Sequence, residues 1–325
     1  MDLDVVFLGT AGSAPTAGRG LPATLIRRGG ERLLFDCGEG TQRQLLRSIG
    51  LVDLEEIFLT HFHADHFLGL PGMVKTFGLR GREIPLTIYG PPGLKALFGA
   101  LRPLIGRSAF ELRLVELEPN EELDRDGYRI AAFNVRHRVQ AYGYALIEDD
   151  RPGRFDEQAA IDLGVRPGPD FGRLQRGEAV TTSDGSTVNP GQVLGETRRG
   201  RKLVLSGDTA PCDMTVAVAH GADLLVHEAT FTEEEADRAR ETGHTTARAA
   251  AEIAAEAEIE LLALTHLSPR HPAGALRAEA RELFETTIVP RDFDRVDLPF
   301  PEKGGPVHVR ADSDLPVAES RTPPQ

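Results

Sequence analysis

The stretch Thr60-His61-Phe62-His63-Ala64-Asp65-His66, placed directly after the apolar run Glu56-Ile57-Phe58-Leu59, decides how this chain is read. Three imidazoles and a carboxylate fall within six residues, at what reads as the end of a buried strand. Imidazole nitrogen and carboxylate oxygen are ligands for borderline divalent metals such as Zn²⁺. A solvated polar loop would use the same residue types, so the surroundings have to speak for a metal.

They do. His137, Asp208, His227 and His266 each lie just beyond an apolar run, at 130–135, 203–207, 224–226 and 261–265. In α/β folds, functional groups gather outside the carboxyl ends of strands, so these side chains can converge on one edge. His61, His63, Asp65, His66, His137, Asp208 and His266 make five histidines and two aspartates. Such a set suits two metals sharing one carboxylate, an arrangement fitted to phosphoester hydrolysis. His227 reads instead as a strand-end core histidine, because the seven positions are filled without it. His220, His271 and His308 have no supporting context and read as structural or exposed.

Outward from the cluster, short apolar runs alternate with helical stretches. Strands are expected at 4–9, 23–27, 32–36, 56–60, 85–89, 128–135, 142–148, 202–205, 223–226 and 260–264. Helices are expected at 41–49, up to about 101 after the Gly90–Gly93 breaker, and at 245–256. The pattern is α/β. Between 150 and 200 the texture becomes Gly-, Pro- and Arg-rich with little apolar periodicity. The expected organisation is a single catalytic domain at 1–310, with an arm inserted at 150–200 and a polar tail at 311–325.

Composition bounds the partners. The 325 residues hold 37 Lys+Arg against 50 Asp+Glu, a formal charge of −13. That balance argues against a protein that coats nucleic acid generally. The segment 151–202 departs from it, with nine basic residues against seven acidic ones. Two cysteines, Cys37 and Cys212, cannot build a disulfide framework, which points to a reducing compartment. No apolar run approaches the ~20 residues of a membrane span. The acidic start Met1-Asp2-Leu3-Asp4 does not resemble a signal peptide. The expectation is a cytoplasmic protein with no membrane association.

The pattern His61-x-His63-x-Asp65-His66, followed by His137, Asp208 and His266, resembles the metallo-β-lactamase superfamily. Further motifs resemble one branch of it, the short form of ribonuclease Z, the tRNA 3′-processing endonucleases. They are Phe7-Leu8-Gly9-Thr10 with Pro15-Thr16, the run from Leu34 through Asp36-Cys37-Gly38-Glu39-Gly40-Thr41 to Gln42, Ser206-Gly207-Asp208-Thr209, His227-Glu228-Ala229-Thr230-Phe231, and Thr265-His266-Leu267-Ser268-Pro269-Arg270. They keep the family's order from about residue 3 to 310.

The resemblance implies an αββα sandwich with a protruding flexible arm, or exosite. It implies two Zn²⁺ per subunit, with Mn²⁺ or another divalent metal as alternatives. His61, His63 and His137 would hold one ion, Asp65, His66 and His266 the other, and Asp208 would bridge. Asp36 would be a buried carboxylate that steadies the ligand loop, although a simple turn aspartate would look the same. The implied activity is an endoribonuclease that removes the 3′ trailer from precursor tRNA, leaving a tRNA 3′-OH and a 5′-phosphate on the trailer.

Asp65 would orient the attacking water or take its proton. His244, held cationic by Glu228, would serve the leaving oxygen; it stands where donors at a helix start face anions. The family's His-Ser-Thr is here His244-Thr245-Thr246, which keeps a hydroxyl at the middle position. Gly164, Arg166, Pro167, Gly168, Pro169, Gly172, Arg173 and Arg176 resemble the arm tip that grips the tRNA body, and the arm implies a homodimer. Two other readings compete. One is a different hydrolase of this fold, such as an arylsulfatase or a cyclic-nucleotide phosphodiesterase. The other is a metal-stabilised RNA-binding protein without activity.

Overall fold

Alternation along the strands sorts their side chains into layers. Leu3, Val5 and Phe7 enter one core, while their neighbours Val6 and Leu8 enter another. The computed structural model describes residues 1–51 and 54–311, so most of the tail expected at 311–325 lies outside the described residues. The chain forms two compact units. One is Met1–Ile147 with Lys202–Pro299 and the residues from Lys303; the other is Glu148–Arg201 with Phe300–Glu302.

The larger unit holds two sheets. In spatial order the first runs Val307–Val309, Arg295–Asp297, Leu3–Gly9, Ala23–Arg28, Glu31–Phe35, Glu56–Phe58, Leu86–Gly90 and Leu112–Glu116. The second runs Thr287–Ile288, Leu261–Thr265, Leu224–Glu228, Lys202–Leu205, Tyr142–Glu148, Tyr128–Asn134 and Glu122–Arg125. Between them Phe7, Phe35 and Phe58 meet Tyr142, Tyr144 and Leu205 in one core. On the outer face of the first sheet, Ile57 and Leu59 pack with Leu70, Met73 and Phe77 of the helix Gly69–Leu79. On the outer face of the second, Val204, Leu225 and Leu262 pack beneath Ala250, Ala251 and Ile253 of the helix Ala247–Glu256. The result is the expected helix–sheet–sheet–helix sandwich. Sheets covered on both faces need strands apolar on both sides, which is why these strands read as continuous apolar runs.

The strands Glu56–Phe58, Lys202–Leu205, Leu224–Glu228 and Leu261–Thr265 all pair with parallel neighbours. Sequence reading had not resolved the helices Gly69–Leu79 and Ala273–Arg281 or the strands Leu112–Glu116 and Glu122–Arg125. The first helix hides behind Gly69, Pro71, Gly72 and Gly78. Pro71 stands in its first turn, where no intrahelical N–H is needed. Among the described residues no helix is long and apolar enough to cross a membrane.

The smaller unit has more regular structure than its composition suggests. It contains the helices Glu157–Asp162 and Pro169–Gln175 and the hairpin Val180–Thr181/Thr187–Val188. Ala160, Val165, Leu174, Val180, Val188 and Val193 form its own core, flanked by Phe155 and Phe171. These apolar residues are too few and too unevenly spaced to give a period. Where its chain enters and leaves, Arg201 is buried, donates to Glu148 at 2.7 and 2.8 Å, and lies over the Phe300 ring. Arg151 and Arg198 both pair with Glu302. Nearer the helix Pro169–Gln175, Arg173 and Arg176 pair with Glu178. The local basic excess read from the sequence is therefore largely spent within the unit.

Candidate metal centre

The centre is assembled where strands of the two sheets end. Beyond Glu56–Phe58, Thr60 and His61 turn into the short helix Ala64–Phe67, which carries Asp65 and His66. His137 follows Tyr128–Asn134, Asp208 follows Lys202–Leu205, and His266 follows Leu261–Thr265. Glycines make the turn possible. A Cβ on Gly69 would stand 2.0 Å from the Gly38 carbonyl oxygen, and one on Gly38 would stand 2.3 Å from that of Asp65. This close approach lets Cys37 N–H donate to His66 O and Gly69 N–H donate to Cys37 O. The ligand helix is thereby fastened to the Asp36 turn.

The structure brings all seven expected ligand residues together. One group comprises His61, His63, His137 and Asp208; a second comprises Asp65, His66 and His266, with Asp208 also close to His266. His63 Nδ1 lies 2.9 Å from His61 Nε2 and 3.3 Å from His137 Nε2. Asp208 reaches both groups: Oδ2 is 3.8 Å from His61 Nε2 and 3.3 Å from His266 Nε2, and Oδ1 is 3.3 Å from His66 Nε2. Ligand atoms around a tetrahedral zinc, at bonds near 2.0–2.1 Å, stand about 3.3 Å apart.

Hydrogen bonds on the far side of the rings set the tautomers. His66 Nδ1–H donates to Asp36 Oδ2 at 2.7 Å, and His61 Nδ1–H donates to Thr60 Oγ1 at 3.0 Å. Thr60 Oγ1–H in turn donates to Asp36 at 2.9 Å. His137 Nδ1–H donates to Gly243 O at 2.8 Å, and His266 Nδ1–H to Thr230 Oγ1 at 2.9 Å. Each leaves an Nε2 lone pair aimed into the centre, as ligand imidazoles require. Burial, with the neighbouring imidazoles, lowers His61 and His63 and keeps them neutral. His66 Nε2 is buried and makes no hydrogen bond although Asp208 is near. An orphaned nitrogen facing a carboxylate, within a His/Asp donor set, fits a divalent cation.

Asp36 is buried, accepts from Thr60 N–H at 2.8 Å, and adopts φ 58°. His266 has φ 55°. Non-glycine residues in this left-handed region are uncommon, and such outliers cluster at functional sites. Ser13 N–H donates to Asp65 Oδ2 at 2.8 Å. Burial raises the Asp65 carboxyl, but the facing His266 and His66 rings outweigh it and hold it below the usual carboxylate range.

His244 stands beside the cluster, its ring stacked on His266 at 5.3 Å. Its Nδ1–H donates to Glu228 Oε1 at 2.8 Å. Burial opposes the charge, but Glu228 and Asp208 push His244 up to about 9. Glu228 is buried and also accepts from Thr209 N–H and Thr245 N–H. Thr245, at the middle position of the His-Thr-Thr run, is buried and donates to Thr209 O. The helix begins later than expected, at Ala247 with Thr246 as its cap, so His244 precedes it.

His227 is buried outside these groups, its Nδ1 donating to Glu228 O at 2.7 Å. His220 is exposed, His271 meets Glu235 at 2.6 Å, and His308 meets Asp294 at 2.9 Å. Sequence reading missed Thr60, Thr230, Ser13 and the Gly243 carbonyl, because backbone groups and lone hydroxyls carry no signature. Gly12, where a Cβ would stand 2.5 Å from His266 Nδ1, was the visible hint within the Gly-rich start.

The family model of the metallo-β-lactamase superfamily matches residues 18–266. Ribonuclease Z of Halorubrum lacusprofundi is 48% identical over 93% of this chain and 99% of its own length. Ribonuclease Z of Myxococcus xanthus is 48% identical over 92% and 98%. The crystal structure of human tRNase Z, short form, aligns with TM-score 0.66 at 28% identity, covering 91% of this chain and 99% of the other. The chain belongs to the metallo-β-lactamase superfamily and, within it, to the ribonuclease Z family of endoribonucleases.

Proposed function

We propose that this protein removes the 3′ trailer from precursor tRNA in the cytoplasm, as a homodimer with two zinc ions per subunit. The observation that carries the reading is the pair of donor groups sharing Asp208, set beside the His244–Glu228 couple. His61, His63 and His137 would hold one ion, Asp65, His66 and His266 the other, and Asp208 both. When bound, two such ions activate water and absorb charge on the phosphate oxygens.

The chain's own residues supply the rest. Asp65, kept ionised and fixed by Ser13 N–H, orients the attacking water and accepts its proton. The water oxygen joins phosphorus and the bond from phosphorus to the tRNA 3′-oxygen breaks. The phosphate stays on the 5′ end of the trailer. His244, cationic against Glu228, gives its proton to the departing 3′-oxygen. The insert supplies Gly164, Arg166, Pro167, Gly168, Pro169, Gly172, Arg173 and Arg176 to the tRNA body.

Cleavage-site mapping on a trailer-bearing precursor, with Zn²⁺ or Mn²⁺ and with chelator, tests this. The expected result is a metal-dependent tRNA ending in 3′-OH. A precursor left whole while a small phosphodiester is hydrolysed would reject the reading in favour of another hydrolase of this fold.

A further inference from the structure

Outside the metal centre, a cavity of about 300 Å³ in the larger unit is lined by Arg19, Arg277, Arg281, Arg291 and Arg310. Its one carboxylate, Asp294, is already committed. It accepts from His308 Nε2 at 2.9 Å, Arg291 N–H at 2.9 Å and Ala311 N–H at 3.0 Å. Arg277, Arg281, Arg291 and Arg310 are exposed, and among the described residues no ion pair engages them. In a chain of net charge −13, this is a concentrated positive surface, five arginines against one carboxylate. The arginines of the insert contrast with it, since several are paired with Glu178 or Glu302.

A neighbouring cavity of about 460 Å³ shares Arg19, Ala273 and Arg291 with this one. That second cavity is bordered by Thr16 and by Leu267 and Ser268, the residues that follow His266. The loop segment before Thr16 also reaches the centre, because Ala11 bridges to Leu267 and Ser13 N–H holds Asp65. Together the two cavities form an arginine-lined track that borders the residues next to His266.

We propose that this arginine-lined track binds the backbone phosphates of the single-stranded 3′ trailer, downstream of the cut. The inference rests on the precursor-tRNA reading. Its size suits one strand: a cavity of about 300 Å³ takes part of a single extended strand, not the body of an acceptor-stem duplex. Forked guanidinium donors suit phosphate oxygens, and sequence-tolerant grooves for single strands are built from such positive charge.

The test is the triple variant Arg277→Ala/Arg291→Ala/Arg310→Ala, made at exposed side chains. Two precursors are compared, one with a single-nucleotide trailer and one with a trailer of about twelve nucleotides. The variant should raise KM for the long trailer roughly tenfold and leave the short trailer and a small phosphodiester unchanged. An equal rise on both precursors, or none on either, overturns the proposal. If the wild-type protein cuts no precursor, the reading of the reaction fails, and binding of an oligouridylate still judges the track. Wild type should then bind it with a steep salt dependence, and the variant's log–log slope should be shallower by about 2. An unchanged slope, or equal competition by duplex RNA, overturns the track.

Discussion

The metal centre and the inserted unit are both built on charged side chains, and they dispose of that charge in opposite ways. At the centre Asp208, Asp36, Glu228, His61 and His66 are buried, and each faces a specific partner across the end of a strand. Their cost of desolvation is offset by hydrogen bonds and by the cation the donor set fits. In the insert Asp170, Arg173, Arg176 and Glu178 stay in water and neutralise one another. Pairs of this exposed kind contribute about 0–1 kcal/mol each. Chemistry concentrates where charge is buried against a rigid frame, and surface charge is left to adjust to whatever binds.

The largest expected effect separates the two regions outright. His63→Ala should remove bound metal and depress hydrolysis of every substrate by about a thousandfold, the several kcal/mol that metal activation supplies. Deleting 155–190 should leave metal content and hydrolysis of a small phosphodiester intact, while abolishing cleavage of precursor tRNA. Metal analysis and two parallel assays decide. If the deletion silences the small substrate too, the insert is part of the catalytic frame and the contrast collapses.

Next in size is the proton donor. His244→Ala should lower kcat on precursor tRNA by roughly 10²–10⁴-fold with metal content unchanged. Glu228→Gln, which removes the charge that holds His244 cationic, should lower it less. The loss should shrink for a p-nitrophenyl phosphodiester, whose leaving group needs no proton. An equal loss on both substrates would mean that His244 shapes the centre instead of serving the leaving oxygen.

How much of each region the sequence discloses follows from the same contrast. The ligands were legible because coordination demands particular residue types, and parallel strands deliver them just past apolar runs: His61, Asp208 and His266 follow this pattern. The groups that orient them were not, because Thr60 Oγ1, Ser13 N–H and Gly243 O act through position alone. The sandwich was legible from strands apolar on both faces. The helix Gly69–Leu79 was obscured because its Gly69 serves a backbone contact and not helix propensity. In the insert, composition reported the arginines but not their partners. The pairing of Arg173 with Glu178 spans five residues around a turn, and no period announces it. The arginines at 277, 281, 291 and 310 were passed over for the opposite reason, being scattered in sequence and gathered only by the fold.

The smallest effect is the sharpest probe of pairing. Arg166 is exposed and among the described residues no ion pair engages it, whereas Arg173 is held by Asp170 and Glu178. Removing a free arginine takes away a phosphate contact; removing Arg173 takes away a charge already neutralised, and Glu178 keeps Arg176 as its partner. Arg166→Ala should therefore raise KM for precursor tRNA two- to threefold at low salt, an effect that fades as salt screens it. Arg173→Ala should change it less. The reverse order would mean that the Glu178 pairs open when RNA arrives, so that the insert trades its internal ion pairs for phosphates on binding.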